Sequence, residues 1–192
     1  MSAAEIWTAY WREAETDGCT IGFPAEVQQR LAARWHALFR DAGPGARLLD
    51  LAAGRGAVLA HARAAGLTAI EGCDLADPGG PLPVRGGVDL AALPYPDRAF
   101  DLVVSQFGIE YAGLGAPLDE AMRVCRGRLV LLLHARESDV RAQALEQAEQ
   151  GEWVIDGLGL FAALRTADAG AVARLGAALA ERARTARNDA LL

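Results

Sequence analysis

Three aspartates stand where apolar segments of the sequence end, and two glycines follow the first of them. Asp50 closes the first apolar run, Asp74 the second, and Asp89 the third, while Gly54 and Gly56 lie between the first run and a helical segment. A strand that ends in a glycine turn and enters a helix presents backbone N–H groups to a ligand. An aspartate at the next strand end can accept hydrogen bonds from both hydroxyls of a ribose. Each acid alone is compatible with a helix cap or a loop, but the set favours a binding crevice.

The elements that must position these acids form an α/β pattern. Short runs that are apolar on both faces alternate with helical segments, which predicts a parallel sheet covered on both sides. The predicted fold is a doubly wound, mostly parallel, Rossmann-like sheet of about five strands, at 47–51, 67–74, 84–89, 100–105 and 128–133. We expect one domain made of N-terminal helices at 1–45, an α/β core at 46–135 and a C-terminal helical segment at 136–192.

Two helices are predicted before the sheet. The first covers residues 3–16, with Ile6, Trp7, Tyr10 and Trp11 on one side. These aromatic residues could form a lid over a ligand, but their helical spacing favours docking onto the core. A second helix is opened by Pro24 and closed by Gly43-Pro44, and its apolar stripe, which includes Trp35 and Phe39, is predicted to be core.

Composition and charge exclude several classes of function. The net charge is −6 and all 19 basic residues are arginine, which disfavours nucleic-acid binding and excludes a lysine Schiff base or a P-loop lysine. Cys19, Cys73 and Cys125 are far apart, which predicts no disulfide framework and no zinc or other metal site. No segment is long and apolar enough to span a membrane, and the N-terminus carries acids where a signal peptide carries bases. We therefore expect a cytoplasmic protein without a nucleic-acid or membrane partner.

The segment from Asp89 to Ser105, DLAALPYPDRAFDLVVS, resembles a signature of the class I S-adenosylmethionine-dependent methyltransferases of the small-molecule type. Together with the glycine turn, the similarity extends over about residues 46–134. It implies S-adenosyl-L-methionine as cofactor and methyl transfer to a small molecule by in-line displacement. It also implies a site in which the glycine turn receives the methionine end of the cofactor, the second acid the ribose and the third the adenine amino group. The residues that match are Asp50, Ala52, Gly54 and Gly56 for the turn, Asp74 with Leu75, Asp89 with Leu90, and Ser105, Gln106 and Phe107 beside the methionine moiety.

The sequence departs from the family pattern at three places. Ala52 replaces the first glycine of the loop, which is tolerable where the φ angle is negative. The turn before the fifth strand is 125–128 instead of Pro-Gly-Gly. The usual last two strands have no counterpart, so Leu129–Leu133 would form an apolar sheet edge. We hypothesise that the C-terminal helices or a second copy of the chain, as in a homodimer, cover this edge, unless the chain is part of a longer protein.

Two alternative functions are considered. A dinucleotide-dependent oxidoreductase needs a small residue where this sequence has Leu59, which would push the helix away from the strand. A non-catalytic binding or interaction module with the same fold is compatible with the short sheet. Glu110, Tyr111 and His134 are candidate bases near the carboxyl edge, and the sequence assigns catalysis to none of them.

Overall fold

The computed structural model describes residues 2–13, 20, 23–135 and 169–186. The chain divides into two compact units, Met1–Leu133 and His134–Leu192. The first unit contains α1 (Ala3–Glu13), α2 (Ala25–Ala42), β1 (Leu48–Leu51), α3 (Ala57–Ala64), β2 (Ile70–Cys73), β3 (Val84–Arg85), β4 (Phe100–Gln106), α4 (Ala116–Val124) and β5 (Cys125–Leu132). The described part of the second unit consists of residues 134–135 and one helix, α5 (Ala169–Ala186).

The sheet has five parallel strands in the order β3-β2-β1-β4-β5. The chain runs outward from β1 to β3, returns to β4 beside β1 and continues to β5, so β1 and β4 are the central pair where the direction of winding reverses. In open α/β sheets, ligands bind at the carboxyl ends of the strands next to such a reversal. The α/β prediction is confirmed, and Asp50, which pairs in register with Gly72 and Val104, lies at this position.

Helices cover both faces of the sheet. On one face α2 and α3 bury Trp35 and Phe39 against Leu48, Leu102 and neighbouring residues. On the other face α4 and the segment after β3 bury Val88, Leu90 and Leu93 against alternate residues of the same strands, with Val124 and Ile109 beside them. The alternation of strand side chains between two apolar clusters is what a buried parallel sheet requires. The prediction that Trp35 and Phe39 belong to the core is confirmed.

Helix α1 docks on a different stripe from the one predicted. Trp7 and Trp11 are half-buried, together with Ala4 and Thr8, whereas Ile6 is 51% exposed and Tyr10 44% exposed. The buried positions follow the spacing i, i+3, i+4, i+7 of one helix face. The prediction of a shared face for Ile6, Trp7, Tyr10 and Trp11 is therefore wrong for two of its four members.

Three strand predictions need correction at their ends. β2 begins at Ile70 instead of residue 67. The segment 125–128, predicted as a turn, is the start of β5, since α4 passes directly into the strand at Cys125. A Cβ at Gly127 would overlap the carbonyl oxygen of Asp101, which explains why a glycine stands here beside the irregular register of β4. β3 ends at Arg85, because the chain turns at Gly87 (φ +71°) and leaves the sheet.

β5 lies at one end of the sheet that the described residues form. Leu129 to Leu132 are half-buried, and Leu133 is 39% exposed. The prediction that C-terminal helices cover this strand concerns residues that lie largely outside the described part of the chain. None of the described helices has the length and apolarity that a membrane span requires.

Candidate functional site

Asp50 is a buried carboxylate at the carboxyl end of β1. Its side chain is 1% exposed, and its Oδ2 atom has no hydrogen-bond partner among the residues that the structure describes. Loss of hydration, followed by the nearby negative charge of Asp74, raises the pKa of Asp50 well above its ordinary value. Buried charged groups are normally paired, so an acid in this position is suited to a cationic partner.

The turn after β1, residues 52–56, follows a tight backbone path. Gly54 (φ +50°) and Gly56 (φ +89°) adopt left-handed conformations, and Gly56 forms the N-cap of α3. Ala52 is also left-handed, with φ +53°, so the expectation of a negative φ at this alanine is wrong. For a residue with a Cβ this conformation costs about 1–2 kcal/mol. The close approach of Gly108, where an added Cβ would lie 2.6 Å from the Cβ of Ala52, shows how closely the turn is packed from the β4 side.

Asp74 supports the turn from the end of β2. Its Oδ2 accepts a hydrogen bond from the backbone N–H of Gly54 at 2.8 Å, and its Oδ1 accepts one from the N–H of Ala76 at 2.9 Å. Burial raises the pKa of Asp74, and these backbone donors act in the opposite direction. Each carboxylate oxygen has two acceptor positions, so Asp74 can hold the turn and still accept hydroxyl groups of a ligand.

The third acid is connected to the second through the backbone. The N–H of Val88 donates to the carbonyl oxygen of Asp74 at 2.9 Å. Asp89, the next residue, therefore lies beside the end of β2. The Asp89 carboxylate is exposed and its Oδ1 accepts the N–H of Ala91 at 2.9 Å, while Leu90 is buried in the core. Leu75, directly after Asp74, is 38% exposed. The structure thus brings the three predicted acids to one edge of the sheet.

The three predicted residues at the end of β4 differ in what their side chains contact. Ser105 is fully buried, where its Oγ donates to the carbonyl of Leu51 at 2.8 Å and accepts the N–H of Ile109 at 3.1 Å. Gln106 points to the opposite face of the sheet, where its Oε1 accepts the indole N–H of Trp35 at 2.6 Å. These side chains therefore join β4 to its neighbours.

Phe107 leaves the strand with φ +53°, and its ring lies edge-on to Phe23 with 6.1 Å between the ring centroids. Its backbone N–H donates to the carbonyl of Leu132 at 2.8 Å, which keeps the exit of β4 beside the end of β5. The position after β4 is therefore fixed by main-chain contacts, with an aromatic side chain beside it.

Helix α1 covers the glycine turn. The ring of Trp11 lies so close to Gly54 that an added Cβ would overlap it, and the Arg55 guanidinium approaches the carbonyl of Trp11 at 3.4 Å. Farther along the helix, the N–H of Asp77 donates to Thr8 Oγ1 at 3.1 Å. The prediction that α1 docks onto the core is confirmed. Because it docks over the glycine turn, the docked helix also covers the candidate site, so the two predicted roles of α1 do not exclude each other.

The candidate bases remain unassigned. Glu110 is half-buried in the single helical turn Ile109–Ala112, and Tyr111 is 62% exposed with its ring edge-on to Trp7. His134 begins the second unit of the chain. In the described ranges no group of three or more His, Cys, Asp or Glu side chains could hold a metal ion.

Leu59, which was expected to push α3 away from the sheet, is fully buried without doing so. A Cβ at Gly72 of β2 would lie 3.0 Å from the Leu59 side chain and 2.8 Å from the Cβ of Ala53. The absence of a side chain at Gly72 therefore provides the space that the leucine occupies. Close packing of α3 on β2 requires a small residue at their contact, and here the strand supplies it at Gly72 instead of the helix. The expectation that Leu59 pushes α3 away is therefore wrong.

Comparison with known proteins gives structural relatives only. No protein-family model matches the sequence, and no curated protein matches it at a significant level. A geranyl diphosphate methyltransferase solved with GPP and sinefungin has a TM-score of 0.51 at 17% identity, over 73% of this chain and 79% of that one. The geranyl diphosphate C-methyltransferase of Streptomyces coelicolor A3(2) has a TM-score of 0.50 at 18% identity, over 75% and 79% of the two chains.

A further relative is described as a methyltransferase from an antibiotic biosynthesis pathway of Anabaena variabilis ATCC 29413, with a TM-score of 0.50 at 20% identity over 61% of this chain. The chain spans 53% of that protein and 58% of YcgJ of Bacillus subtilis, just over half the length of each. At these identities the likeness concerns the fold. The first unit of this chain has the fold of the class I S-adenosylmethionine-dependent methyltransferases.

Proposed function

We propose that this protein binds S-adenosyl-L-methionine and transfers its methyl group to a small-molecule acceptor. The observation that carries the proposal is the buried carboxylate of Asp50, whose Oδ2 has no hydrogen-bond partner among the described residues. A ligand with an ammonium group, placed at the end of β1, would supply the positive charge that this acid lacks. The residues present therefore fit the methionine end of this cofactor.

The other site residues fit the remaining parts of the cofactor. Asp74 has acceptor positions for the ribose hydroxyls, with Leu75 beside the adenine. The exposed carboxylate of Asp89 is suited to the adenine amino group, with Leu90 buried behind it. Ala52, Gly54 and Gly56 contribute main chain, as do Ser105, Gln106 and Phe107, since the side chains of Ser105 and Gln106 are engaged elsewhere.

The sulfonium group of the cofactor supplies a methyl group with a good leaving group. The protein contributes mainly by holding donor and acceptor in line, because positioning accounts for much of the rate in such a displacement. Covering of the glycine turn by α1 limits the access of water on that side. A base is required only for an acceptor that must lose a proton, and Glu110, Tyr111 and His134 remain candidates.

Isothermal titration calorimetry with S-adenosylmethionine, S-adenosylhomocysteine and NAD tests the proposal. We expect binding of both adenosyl compounds with affinities in the micromolar range or better, and none of NAD. Binding of NAD alone would favour the oxidoreductase alternative, and binding of nothing would remove the proposal. Binding of both adenosyl compounds without methyl transfer to a panel of small acceptors would favour the non-catalytic module. The cytoplasmic location and a homodimer through β5 remain predictions from the sequence.

A further inference from the structure

Arg123 of α4 makes an unusually complete set of hydrogen bonds to the segment that follows Asp89. Its Nε and Nη2 atoms donate to the two carboxylate oxygens of Glu120, each at 2.7 Å. Nη1 also donates to the carbonyl of Tyr95 and to Asp97 Oδ1, both at 2.8 Å, and Nη2 donates to the carbonyl of Leu93 at 3.1 Å. One guanidinium thus joins α4 to three residues of loop 89–98.

The partner of this arginine holds the same loop from a second direction. Glu120 Oε2 accepts the backbone N–H of Leu93 at 2.7 Å, and the N–H of Arg98 donates to the carbonyl of Arg123 at 2.8 Å. The hydrogen bonds of Arg123 lower the pKa of Glu120 below its ordinary value. The pair is 20–30% exposed at its side chains, so it is accessible to water but screened less than a fully exposed pair.

Loop 89–98 has no regular secondary structure. Leu90 and Leu93 anchor it in the core, and the N–H groups of Ala91 and Ala92 bond back to Asp89, whereas the contacts of Glu120 and Arg123 hold its second half, residues 93–98. Its first residues, Asp89 and Leu90, lie beside the end of β2, because the preceding residue, Val88, donates its N–H to the carbonyl oxygen of Asp74. A loop that is disordered before binding must be ordered by its ligand, and the entropy cost lowers the affinity. Such a loop also distinguishes less well between similar ligands.

We propose that the Glu120–Arg123 pair is a positioning element that fixes loop 89–98 in the conformation that recognises adenine. This inference rests on the proposed function, because it assumes that the adenine lies against Asp89 and Leu90. Its physical basis is the planar fork of the guanidinium, which donates in several fixed directions at once. Lysine retains the charge at this position but not that geometry.

The test compares Arg123→Lys with Arg126→Lys as a matched control. Arg126 lies three residues further on and forms a bidentate pair with Asp101, at 2.6 and 2.9 Å, at the amino end of β4. Binding of S-adenosylhomocysteine and of its 6-oxo analogue, S-inosylhomocysteine, is measured for each protein by calorimetry. The ratio of the two dissociation constants reports recognition of the adenine amino group and is insensitive to a general loss of stability.

We expect the wild-type protein to prefer S-adenosylhomocysteine by about tenfold or more, as for one hydrogen bond to a charged group. Arg123→Lys should weaken the binding of S-adenosylhomocysteine by roughly fivefold to tenfold and bring the ratio of the two dissociation constants close to one. Arg126→Lys should leave both dissociation constants unchanged. An unchanged ratio in Arg123→Lys, or no preference in the wild-type protein, would overturn the inference.

Failure of the wild-type protein to bind S-adenosylhomocysteine would instead refute the proposed function. Circular dichroism and urea unfolding establish whether Arg123→Lys folds. Where it does not, Glu120→Gln replaces it, because the amide oxygen can still accept the N–H of Leu93 while the ionic pairing with Arg123 is lost. A reduced ratio in Glu120→Gln supports the inference, and a wild-type ratio contradicts it.

Discussion

The glycine turn and loop 89–98 lie at the same edge of the sheet and are held in different ways. The turn is formed by main chain in left-handed conformations above two buried aspartates, and its support, Asp74, comes from the adjacent strand. Loop 89–98 has no regular structure, is anchored in the core by Leu90 and Leu93, and is held in its second half by two charged side chains of α4. One half of the site is therefore shaped by steric necessity, and the other by core contacts together with a few replaceable hydrogen bonds. Substitutions in the turn should therefore have larger effects.

Gly54→Val should have the largest effect. The new side chain would overlap Trp11 and would impose a positive φ on a β-branched residue, so we expect binding of S-adenosylhomocysteine to weaken by roughly 100-fold or more, beyond a stability loss of about 1–3 kcal/mol. Calorimetry and urea unfolding measure the two effects. Gly66→Val is the control, since Gly66 has φ +93° but open space around it, and should lose stability without loss of affinity. Equal affinities of the two variants would mean that the turn is only architectural.

Asp74→Ala should weaken binding of S-adenosylhomocysteine by about 1–3 kcal/mol, the value for hydrogen bonds to a charged group. The variant should also unfold at lower urea concentration, because the N–H groups of Gly54 and Ala76 lose their acceptor. Asp77→Ala provides the comparison, as Asp77 is an exposed acid three residues further along. An unchanged dissociation constant for Asp74→Ala would contradict the ribose assignment.

Asp50→Asn should affect stability and binding in opposite directions. The pKa of Asp50 is raised in the folded protein, so the folded state holds the proton more tightly than the unfolded chain does. The stability from this group is therefore fully present below its ordinary pKa of 3.8 and is lost as the pH rises through the raised value. Asparagine does not ionise, so the variant does not lose this stability as the pH rises. It should therefore be more stable than the wild-type protein at pH 7, and the difference in stability should be smaller near pH 3.

The same Asp50→Asn variant should bind S-adenosylmethionine more weakly, because the carboxylate charge that would pair with an ammonium group is gone. Urea unfolding between pH 3 and 8 and calorimetry at pH 7 measure the two effects. A variant that is less stable at pH 7, or one with undiminished affinity, would show that Asp50 is not held ready for a cation.

Ala52→Gly should have the smallest effect and the opposite sign. Glycine adopts φ +53° without the strain of a Cβ, so we expect the free energy of unfolding to rise by about 0.5–1 kcal/mol. Ala53→Gly, at the adjacent residue, should lower it by about 0.5–1 kcal/mol, because Ala53 is not left-handed and gains only unfolded-state entropy. Chemical denaturation distinguishes the two changes, and a loss of stability in both variants would refute strain at Ala52.

The sequence predicts features that depend on local patterns. The parallel sheet, the glycine turn and the location of Asp50 and Asp74 follow from apolar runs and the residues that end them. Gln106 could also have been placed, because it shares strand parity with Leu102 and Val104, whose side chains face α2.

Other features depend on contacts between distant segments. The positive φ of Ala52 accompanies close packing against Gly108, and the docking face of α1 depends on Gly54. The spacing of Glu120 and Arg123 is visible in the sequence as an i, i+3 pair, but nothing local indicates that its target lies about thirty residues earlier.

Gly72 has a consequence for how such sequences are compared. Patterns for ligand-binding turns are written along one segment and require a small residue within the helix. In this protein the requirement is divided between two segments, so a leucine in one and a glycine in the other form a single complementary unit. In homologous chains we expect the two positions to vary together, so that a large side chain at position 59 occurs with glycine at position 72. A motif search restricted to the turn would overlook that pairing.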